Sequence, residues 1–387
     1  MEMPHQSSFA AVSHCPGIFL MSNSFETGGS ERQFAALVRA LDEKRFRMHV
    51  GCLAKRGDFG NGLSDVVEFP MGGNLYGVRS MQARLRLALH LRRSRISIAH
   101  AFDFYTNLAL IPAARLAGVP VLIGSQRQLG DLLPSAKSRA QLAIFRWCDS
   151  VVTNSYAAAE RLISQGLPER QIVIIRNGLP REAFEWTAPA LPGRPGVLRV
   201  GMIARMNTLS KNHGLFLRSA ARLLTKFTVV EFVLAGDGPL RHEFEREAVA
   251  LGIRDCVHFL GDRRDIPAVL ASIDVSVLPS SSESLSNVVI ESMAAGVPVV
   301  ATRVGGNPEL IDETRGILVP PDNEHSLTDA IGRLLGDSSK RAELARNARA
   351  FAQQHFTIAE MRHRYQDLYS DLLARKARRK PRPSVHP

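Results

Sequence analysis

The chain has 387 residues, of which 45% are hydrophobic and 22% are charged. This length exceeds what one ordinary hydrophobic core supports, so we expect two folded domains. The composition is that of a globular protein, and no low-complexity tract interrupts the body of the chain. The four cysteines, at positions 15, 52, 148 and 256, show no C-x-x-C spacing, so neither a disulfide framework nor a zinc site is expected.

The formal net charge is +12, and part of it lies in a basic tail, Arg375–Arg382. Such a tail either contacts an anionic membrane surface or nucleic acid, or stays solvated without a partner. No apolar run reaches the roughly 18–20 residues that a membrane span needs, and the N-terminus lacks the basic start of a signal peptide. We therefore expect a cytoplasmic protein, with peripheral membrane contact through the tail as an alternative.

Short apolar runs alternate with amphipathic segments in the first half of the chain. The segment after Gly29 places Phe34, Leu37, Val38 and Leu41 on one helical face. The pattern predicts strands at residues 17–21, 48–53, 96–99, 120–123, 151–153 and 172–175. This alternation predicts a parallel sheet with helices on both faces.

A segment rich in proline and glycine, residues 185–197, lacks periodicity and predicts an interdomain linker. Beyond it, strands are expected at residues 198–203, 230–235, 257–260, 275–278, 299–301 and 317–319, and helix from about 338 to 375 with a break near 355–357. The fold class is thus α/β, with two Rossmann-like, doubly wound units facing a cleft. Ligands of such sheets bind beyond the carboxyl ends of the strands.

Glycines and cations follow several of these strands. Gly28 and Gly29 open the first helix, where free N–H groups favour an anion; the alternative is an ordinary turn with Ser30 as N-cap. Arg205 and Lys211 follow the first strand of the second unit, and two cations there suit a diphosphate unless both are merely solvated.

Gly236 and Gly238 follow the next predicted strand of the second unit. They allow close approach to a sugar or phosphate, or they form only a turn.

The segment after residues 275–278 is the most informative. A helix is expected to begin near Ser286 or Asn287, and its first amides suit donor phosphates. Glu283 precedes this helix and Glu291 lies one turn inside it. Two carboxylates beside a phosphate-binding helix need hydroxyl partners, which a sugar and a ribose supply. The alternative is helix capping for Glu283 and solvent exposure for Glu291.

His100 ends the strand predicted at residues 96–99 and is expected at a carboxyl strand end, where it either faces the cleft or packs as a satisfied core histidine. The other histidines lack a metal-like spacing, so no metal site is expected.

These motifs, in this order, resemble glycosyltransferase family 4, the retaining enzymes of the GT-B fold (glycosyl transferases group 1). The Gly-Gly-x-Glu-Arg loop at Gly28, Arg205 with Lys211, the Gly-Asp-Gly-Pro loop at Gly236 and the E-x7-E pair from Glu283 to Glu291 carry the resemblance. Two further matching runs are residues 293–306 and 316–321.

The resemblance implies roles for these residues. Arg205 and Lys211 would hold the donor diphosphate, Glu283 the transferred sugar and Glu291 the ribose. The backbone at Leu285, Ser286 and Asn287 would cap the phosphates, and Gly29 would lie near the diphosphate and the acceptor. His100 matches the first histidine of the family's His-x-His strand end, whereas Phe102 replaces the second, which often contacts the donor sugar.

The resemblance also implies domains at residues 1–190 and 191–355, a helix at 356–376 that crosses back to the first domain, and a disordered basic tail at 377–387. The expected reaction moves a sugar from a UDP-sugar, or as second choice a GDP-sugar, to a hydroxyl of a glycan, lipid or lipid-linked acceptor. It retains the anomeric configuration and uses no metal or cofactor. The expected role is in cell-envelope or exopolysaccharide synthesis. The alternatives are a nucleotide-sugar epimerase on the same scaffold and a non-catalytic basic protein that binds nucleic acid or membrane. Because no base-stacking motif is present, no nucleic acid is expected as a partner.

Overall fold

The computed structural model describes residues 15–26, 28–72 and 77–379. It confirms the expected fold class, because the described residues form two parallel sheets with helices on both faces. Every strand that the sequence predicts is present, with bounds that agree within three residues. The fold thus follows the alternation of buried apolar runs and amphipathic segments.

The first sheet lies between residues 17 and 174 in the order β3-β2-β1-β4-β5-β6-β7. Its central strands are buried on both faces, which explains why they read as continuous apolar runs. The short edge strand β3 has no such run, and the sequence pattern missed it. The strands are β1 (Gly17–Ser22), β2 (Arg47–Cys52), β3 (Val67–Glu68), β4 (Ile96–Ala101), β5 (Val121–Gln126), β6 (Ser150–Thr153) and β7 (Ile172–Ile174).

The helices of the first unit each join consecutive parallel strands. Their buried residues pack on the two faces of the first sheet. They are α1 (Gly29–Ala40), α2 (Val78–Arg93), α3 (Phe104–Ala117), α4 (Ser135–Phe145) and α5 (Tyr156–Ser164).

The second sheet has the order β10-β9-β8-β11-β12-β13 and is parallel throughout. The strands are β8 (Leu198–Ile203), β9 (Val230–Ala235), β10 (Val257–Gly261), β11 (Val275–Leu278), β12 (Val299–Thr302) and β13 (Gly316–Val319). The helices are α6 (His213–Leu224), α7 (Arg241–Ala250), α8 (Ile266–Leu270), α9 (Asn287–Ala295), α10 (Asn307–Leu310), α11 (Glu324–Gly336) and α12 (Ser338–His355).

The last described helix, α13 (Ile358–Arg379), returns to the first unit. Met361, Tyr365, Tyr369 and Leu372 are buried there in one cluster with residues of β1 and α1. The break before α13 lies where the sequence predicts it, because α12 ends at His355. The expectation of a disordered tail from residue 377 is wrong for residues 377–379, because α13 continues through Arg379. Alanine and arginine, which fill this stretch, both favour helix. Residues 380–387 of the predicted tail lie outside the described residues.

Among the described helices, none is long and apolar enough to cross a bilayer. All four cysteines are free thiols.

Candidate functional site

The sequence-predicted site residues of the second unit lie beyond the carboxyl ends of β8, β9 and β11. β8 and β11 are neighbours in the sheet, although the chain leaves β8 towards β9 on one side and β11 towards β12 on the other. Loops that diverge from such a pair of strands leave a crevice between them, and ligands of open α/β sheets bind there. In the first sheet, β1 and β4 form the corresponding pair.

The first helix, α1, presents an uncapped N-terminus to this crevice. Its N-cap is Gly28 in extended conformation, with no side-chain hydrogen bond to the first amides. The alternative of a Ser30 cap is therefore wrong, because Ser30 already lies inside the helix. A Cβ atom built on Gly29 would stand 2.5 Å from the side-chain nitrogen of Asn287, so glycine at this position lets the two units approach closely without displacing that side chain.

The N-terminus of α9 meets α1 from the second unit. α9 begins at Asn287, as the sequence predicts, and the Ser286 hydroxyl accepts a hydrogen bond from the amide of Val289 at 3.3 Å. The Leu285 side chain is buried in the core beside this helix start. Two helix N-termini from two units thus converge, and each carries partial positive charge that suits an anion such as a diphosphate.

A cation and a carboxylate stand beside these helix ends. Lys211 Nζ donates to Glu283 Oε1 at 2.5 Å, and both side chains are mostly shielded from solvent. Lys211 ends a short 3-10 turn, and the following Asn212 adopts a left-handed conformation (φ 61°) that starts α6. Glu283 is held through its backbone, because its carbonyl accepts from the amide of Gly306 at 3.3 Å. The ion pair therefore joins the loops after β8 and β11.

Arg205 is exposed in the loop after β8. Burial raises the pKa of the Glu31 carboxyl in α1, and the Arg205 charge opposes that rise across the crevice. The two domains thus bring a cation and a carboxyl group together beside the converging helix ends.

Gly236 and Gly238 stand against protein backbone, and their close approach to a ligand stays a prediction. Both have φ in the left-handed range, 143° and 153°, and a Cβ atom on either would collide with the backbone at Ala204 or Met206. Met206 donates its amide to the carbonyl of Asp237 at 2.8 Å. These glycines therefore position the loop that carries Arg205.

Glu291 is buried and forms an ion pair with Arg32 of α1. Burial raises the pKa of this carboxyl, and the Arg32 guanidinium opposes the rise. The alternative of solvent exposure for Glu291 is wrong, because α9 packs it against the other unit. The pairing with Arg32 was not predicted, because the two residues are distant along the chain.

His100 is buried, and the alternative in which it faces the cleft is wrong. Its Nδ1 lies 2.8 Å from the Tyr369 hydroxyl and its Nε2 lies 2.8 Å from the Ser125 hydroxyl. Burial lowers its pKa to about 3, so the ring is neutral. The physical reason is α13, which covers the carboxyl end of β4. His100 is therefore a satisfied core histidine.

Sequence reasoning missed a polar chain that links the two units. Arg127, directly after β5, is buried over the Phe102 ring at 4.5 Å and donates to Asn177 Oδ1. Asn177 Nδ2 in turn donates to Asn287 Oδ1 at 2.6 Å. Arg127 also donates to the Tyr365 hydroxyl of α13 at 3.3 Å. The available signal was position alone, because Arg127 follows a predicted strand as Arg205 does.

Further contacts hold the units together around the crevice. Ser284 donates to Asn154 at 2.6 Å. Glu309 accepts from the amide of Ala157 at 2.9 Å. This structure therefore shows the two units in contact across the crevice.

Asp103 caps α3 at the carboxyl end of β4. It accepts from the amides of Asn23 at 2.7 Å and Thr106 at 3.0 Å. Burial nevertheless raises the pKa of its carboxyl to about 6. Within the described ranges, no three His, Cys, Asp or Glu side chains are grouped in a way that could hold a metal ion.

Comparisons with known proteins agree with this geometry. The family model described as Glycosyltransferase Family 4 matches residues 27–183, and the model described as Glycosyl transferases group 1 matches residues 197–337. The chain is 34% identical over 325 residues to the alpha-D-kanosaminyltransferase of Streptomyces kanamyceticus, a match that covers 78% of this chain and 82% of that protein.

Two further proteins show the same likeness. The UDP-Gal:alpha-D-GlcNAc-diphosphoundecaprenol alpha-1,3-galactosyltransferase of Escherichia coli is 24% identical over 328 residues, which cover 78% of this chain and 82% of that protein. The crystal structure of HepE from Anabaena in complex with UDP and glucose has a TM-score of 0.80 at 22% identity and covers 91% of this chain and 99% of that one. This chain and HepE share the GT-B fold. The chain therefore belongs to glycosyltransferase family 4 and is a glycosyltransferase of glycan biosynthesis.

Proposed function

We propose that this protein is a retaining, metal-independent hexosyltransferase. It moves a sugar from UDP-sugar, or secondly from GDP-sugar, to a hydroxyl of a glycan, lipid or lipid-linked acceptor in cell-envelope or exopolysaccharide synthesis. The observation that carries the proposal is the convergence of two helix N-termini with Arg205 and Lys211 on one crevice. Four sources of positive charge there match a diphosphate leaving group.

The donor diphosphate would lie between the first amides of α1 and those of α9. As the bond between the sugar C1 and the phosphate oxygen breaks, negative charge grows on the β-phosphate. Arg205 and Lys211 would stabilise this charge, which is the role that cations have in such transfers. Glu283 would accept hydrogen bonds from sugar hydroxyls, while its ion pair holds Lys211 in place.

Retention follows if the acceptor attacks the face that the phosphate leaves. The acceptor oxygen forms the new bond to C1, and its proton passes to the departing β-phosphate oxygen. No separate general base is required. This agrees with His100, which is neutral and buried away from the crevice.

Glu291 would bind the ribose hydroxyls. In this structure its carboxylate pairs with Arg32, so ribose hydroxyls would share the carboxylate oxygens with that guanidinium or displace it. The donor preference is supported by the HepE complex with UDP and by the UDP-Gal donor in the name of the E. coli relative. The diphosphoundecaprenol in that name supports a lipid-linked acceptor.

The test is thermal stabilisation of the purified protein by UDP, GDP and ADP, each with and without EDTA. At one hundred times the dissociation constant, a ligand stabilises the folded state by about 2.7 kcal/mol, a readily measured shift. We expect UDP to stabilise most and EDTA to change nothing. Loss of the shift in EDTA would refute metal independence, and the absence of any shift with folded protein would refute the donor assignment.

A further inference from the structure

The outer face of α2 carries an unpartnered apolar stripe. Val78, Met81, Leu85 and Leu89 are 74%, 59%, 47% and 53% exposed. With about 100° between successive residues, these four side chains fall within roughly 80° of the helix circumference. The opposite face, with Ala83, Leu87 and Leu91 among others, is fully buried in the first core. The stripe is therefore additional to what the fold requires.

A basic row runs beside this stripe. Arg79, Arg86 and Arg93 are exposed and follow at intervals of seven residues, so they lie along one line of the helix. Residues 78–93 include no Asp or Glu, and no ion pair joins these three arginines to a carboxylate in the part of the chain that the structure describes. An apolar stripe bordered by arginines is the pattern of a helix that lies in a membrane interface.

The first turn of α2 lies at the crevice edge of the sheet. The carbonyl of Ser94, just after the helix, accepts from Arg47 at the start of β2 at 2.7 Å, which places the end of α2 at the amino edge of the strands. Because α2 runs antiparallel to those strands, Val78 lies at their carboxyl edge. A surface that covers α2 therefore approaches the crevice from the side of the first unit.

We propose that α2 docks this protein on an anionic lipid bilayer, with Val78, Met81, Leu85 and Leu89 among the upper acyl chains and Arg79, Arg86 and Arg93 on the headgroup phosphates. Charge complementarity selects this occupant. A second copy of the chain would bring two basic rows together without any acid on either helix. The inference rests on the proposed function in one respect, because it brings the transferase to a lipid-linked acceptor.

The test is flotation of the full-length protein with vesicles of phosphatidylcholine alone or with roughly 30% phosphatidylglycerol. One variant carries Met81→Gln, Leu85→Gln and Leu89→Gln, since glutamine keeps helix propensity. A second carries Arg79→Gln, Arg86→Gln and Arg93→Gln. The matched control, Arg246→Gln with Arg333→Gln and Arg346→Gln, removes the same charge from exposed helical positions of the second unit.

We expect binding to the anionic vesicles only. Each arginine near such a surface raises the affinity for anionic vesicles about fivefold, so the triple arginine variant should bind them roughly 100-fold more weakly. The apolar variant should lose at least about tenfold, and the control should lose far less than the arginine variant.

Several outcomes would overturn the inference. Binding by both α2 variants at the wild-type level would do so, as would equal binding to neutral vesicles. A tail variant, Arg375→Gln with Arg378→Gln and Arg382→Gln, that alone abolishes flotation would assign the contact to the tail instead. Light scattering that shows an α2-dependent dimer without flotation would assign the face to a second copy. UDP-induced thermal shifts on the same proteins test the proposed function separately, because α2 lies outside the donor crevice.

Discussion

Substitution of Asn177 tests whether the buried polar chain from Arg127 positions the donor site. Asn177→Ala removes the acceptor of Arg127 and the donor to Asn287 Oδ1, which lies 2.6 Å away. A hydrogen bond to a charged group is worth about 1.5–3 kcal/mol and a neutral one about 0.5–1.5 kcal/mol. The first loss lowers the free energy of unfolding. The second frees the Asn287 side chain at the start of α9 and should affect the donor.

We expect the dissociation constant of UDP to rise by about 5- to 30-fold, which corresponds to about 1–2 kcal/mol. Calorimetric titration of wild type, Asn177→Ala, Asn287→Ala and the double variant forms a double-mutant cycle. If the two asparagines act through each other, the double variant should lose about 1 kcal/mol less than the sum of the single losses.

A matched control is Asn347→Ala. Asn347 also donates one side-chain hydrogen bond, to the carbonyl of Thr314 at 2.9 Å, but it lies on α12 away from the crevice. It should leave the UDP dissociation constant unchanged. If the loss of UDP binding free energy in the double variant equals the sum of the two single losses within about 0.3–0.5 kcal/mol, Asn177 does not act through Asn287 and the reasoning fails.

Three other predictions concern the catalytic loops and the core. Glu283→Ala should abolish most turnover while circular dichroism stays native, and Arg205→Ala should also weaken UDP binding; near-native activity of both would refute the site. Gly238→Ala should lower both thermal stability and UDP affinity, because the added Cβ atom meets the Met206 backbone. The control Gly193→Ala should be neutral, because its Cβ atom meets nothing within 4 Å. Equal effects of the two substitutions would contradict this reasoning. Because the folded pKa of His100 is about 3, the unfolded chain alone takes up its proton as pH falls below about 6.5, so stability drops. Between pH 7.5 and pH 5.5, the free energy of unfolding measured in urea should fall by about 1.4 kcal/mol less in His100→Asn than in the wild type. An equal fall in both proteins would be evidence against a neutral His100.

The fold was largely predictable because its signals are local. Central parallel strands are buried on both faces, so β1 and β11 appear as apolar runs, and β11 has the predicted bounds. The edge strand β3 has two residues and little burial, and it leaves no such pattern. Helix starts were predictable where a capping residue precedes an apolar face, as Ser286 does for α9.

The candidate site was predictable where its residues follow strands in short loops, as Lys211 and Glu283 do. The sequence could not show that Lys211 pairs with Glu283, because sheet order brings the loops after β8 and β11 together. His100 shows the same limit in the other direction. It stands at a strand end like a site residue, but a helix from the far end of the chain buries it.

The contacts between the units are the part least accessible to sequence reasoning, and they lead to the proposed donor site. Arg32 with Glu291, and Arg127 through Asn177 with Asn287, join residues that no local pattern relates. Both end on α9, the helix whose first amides are proposed to bind the donor phosphates. A substitution in the first unit can therefore change donor affinity without touching the donor. Because Arg127 also contacts Tyr365 of α13, the returning helix belongs to the same connection, and shortening it should weaken donor binding as well as stability.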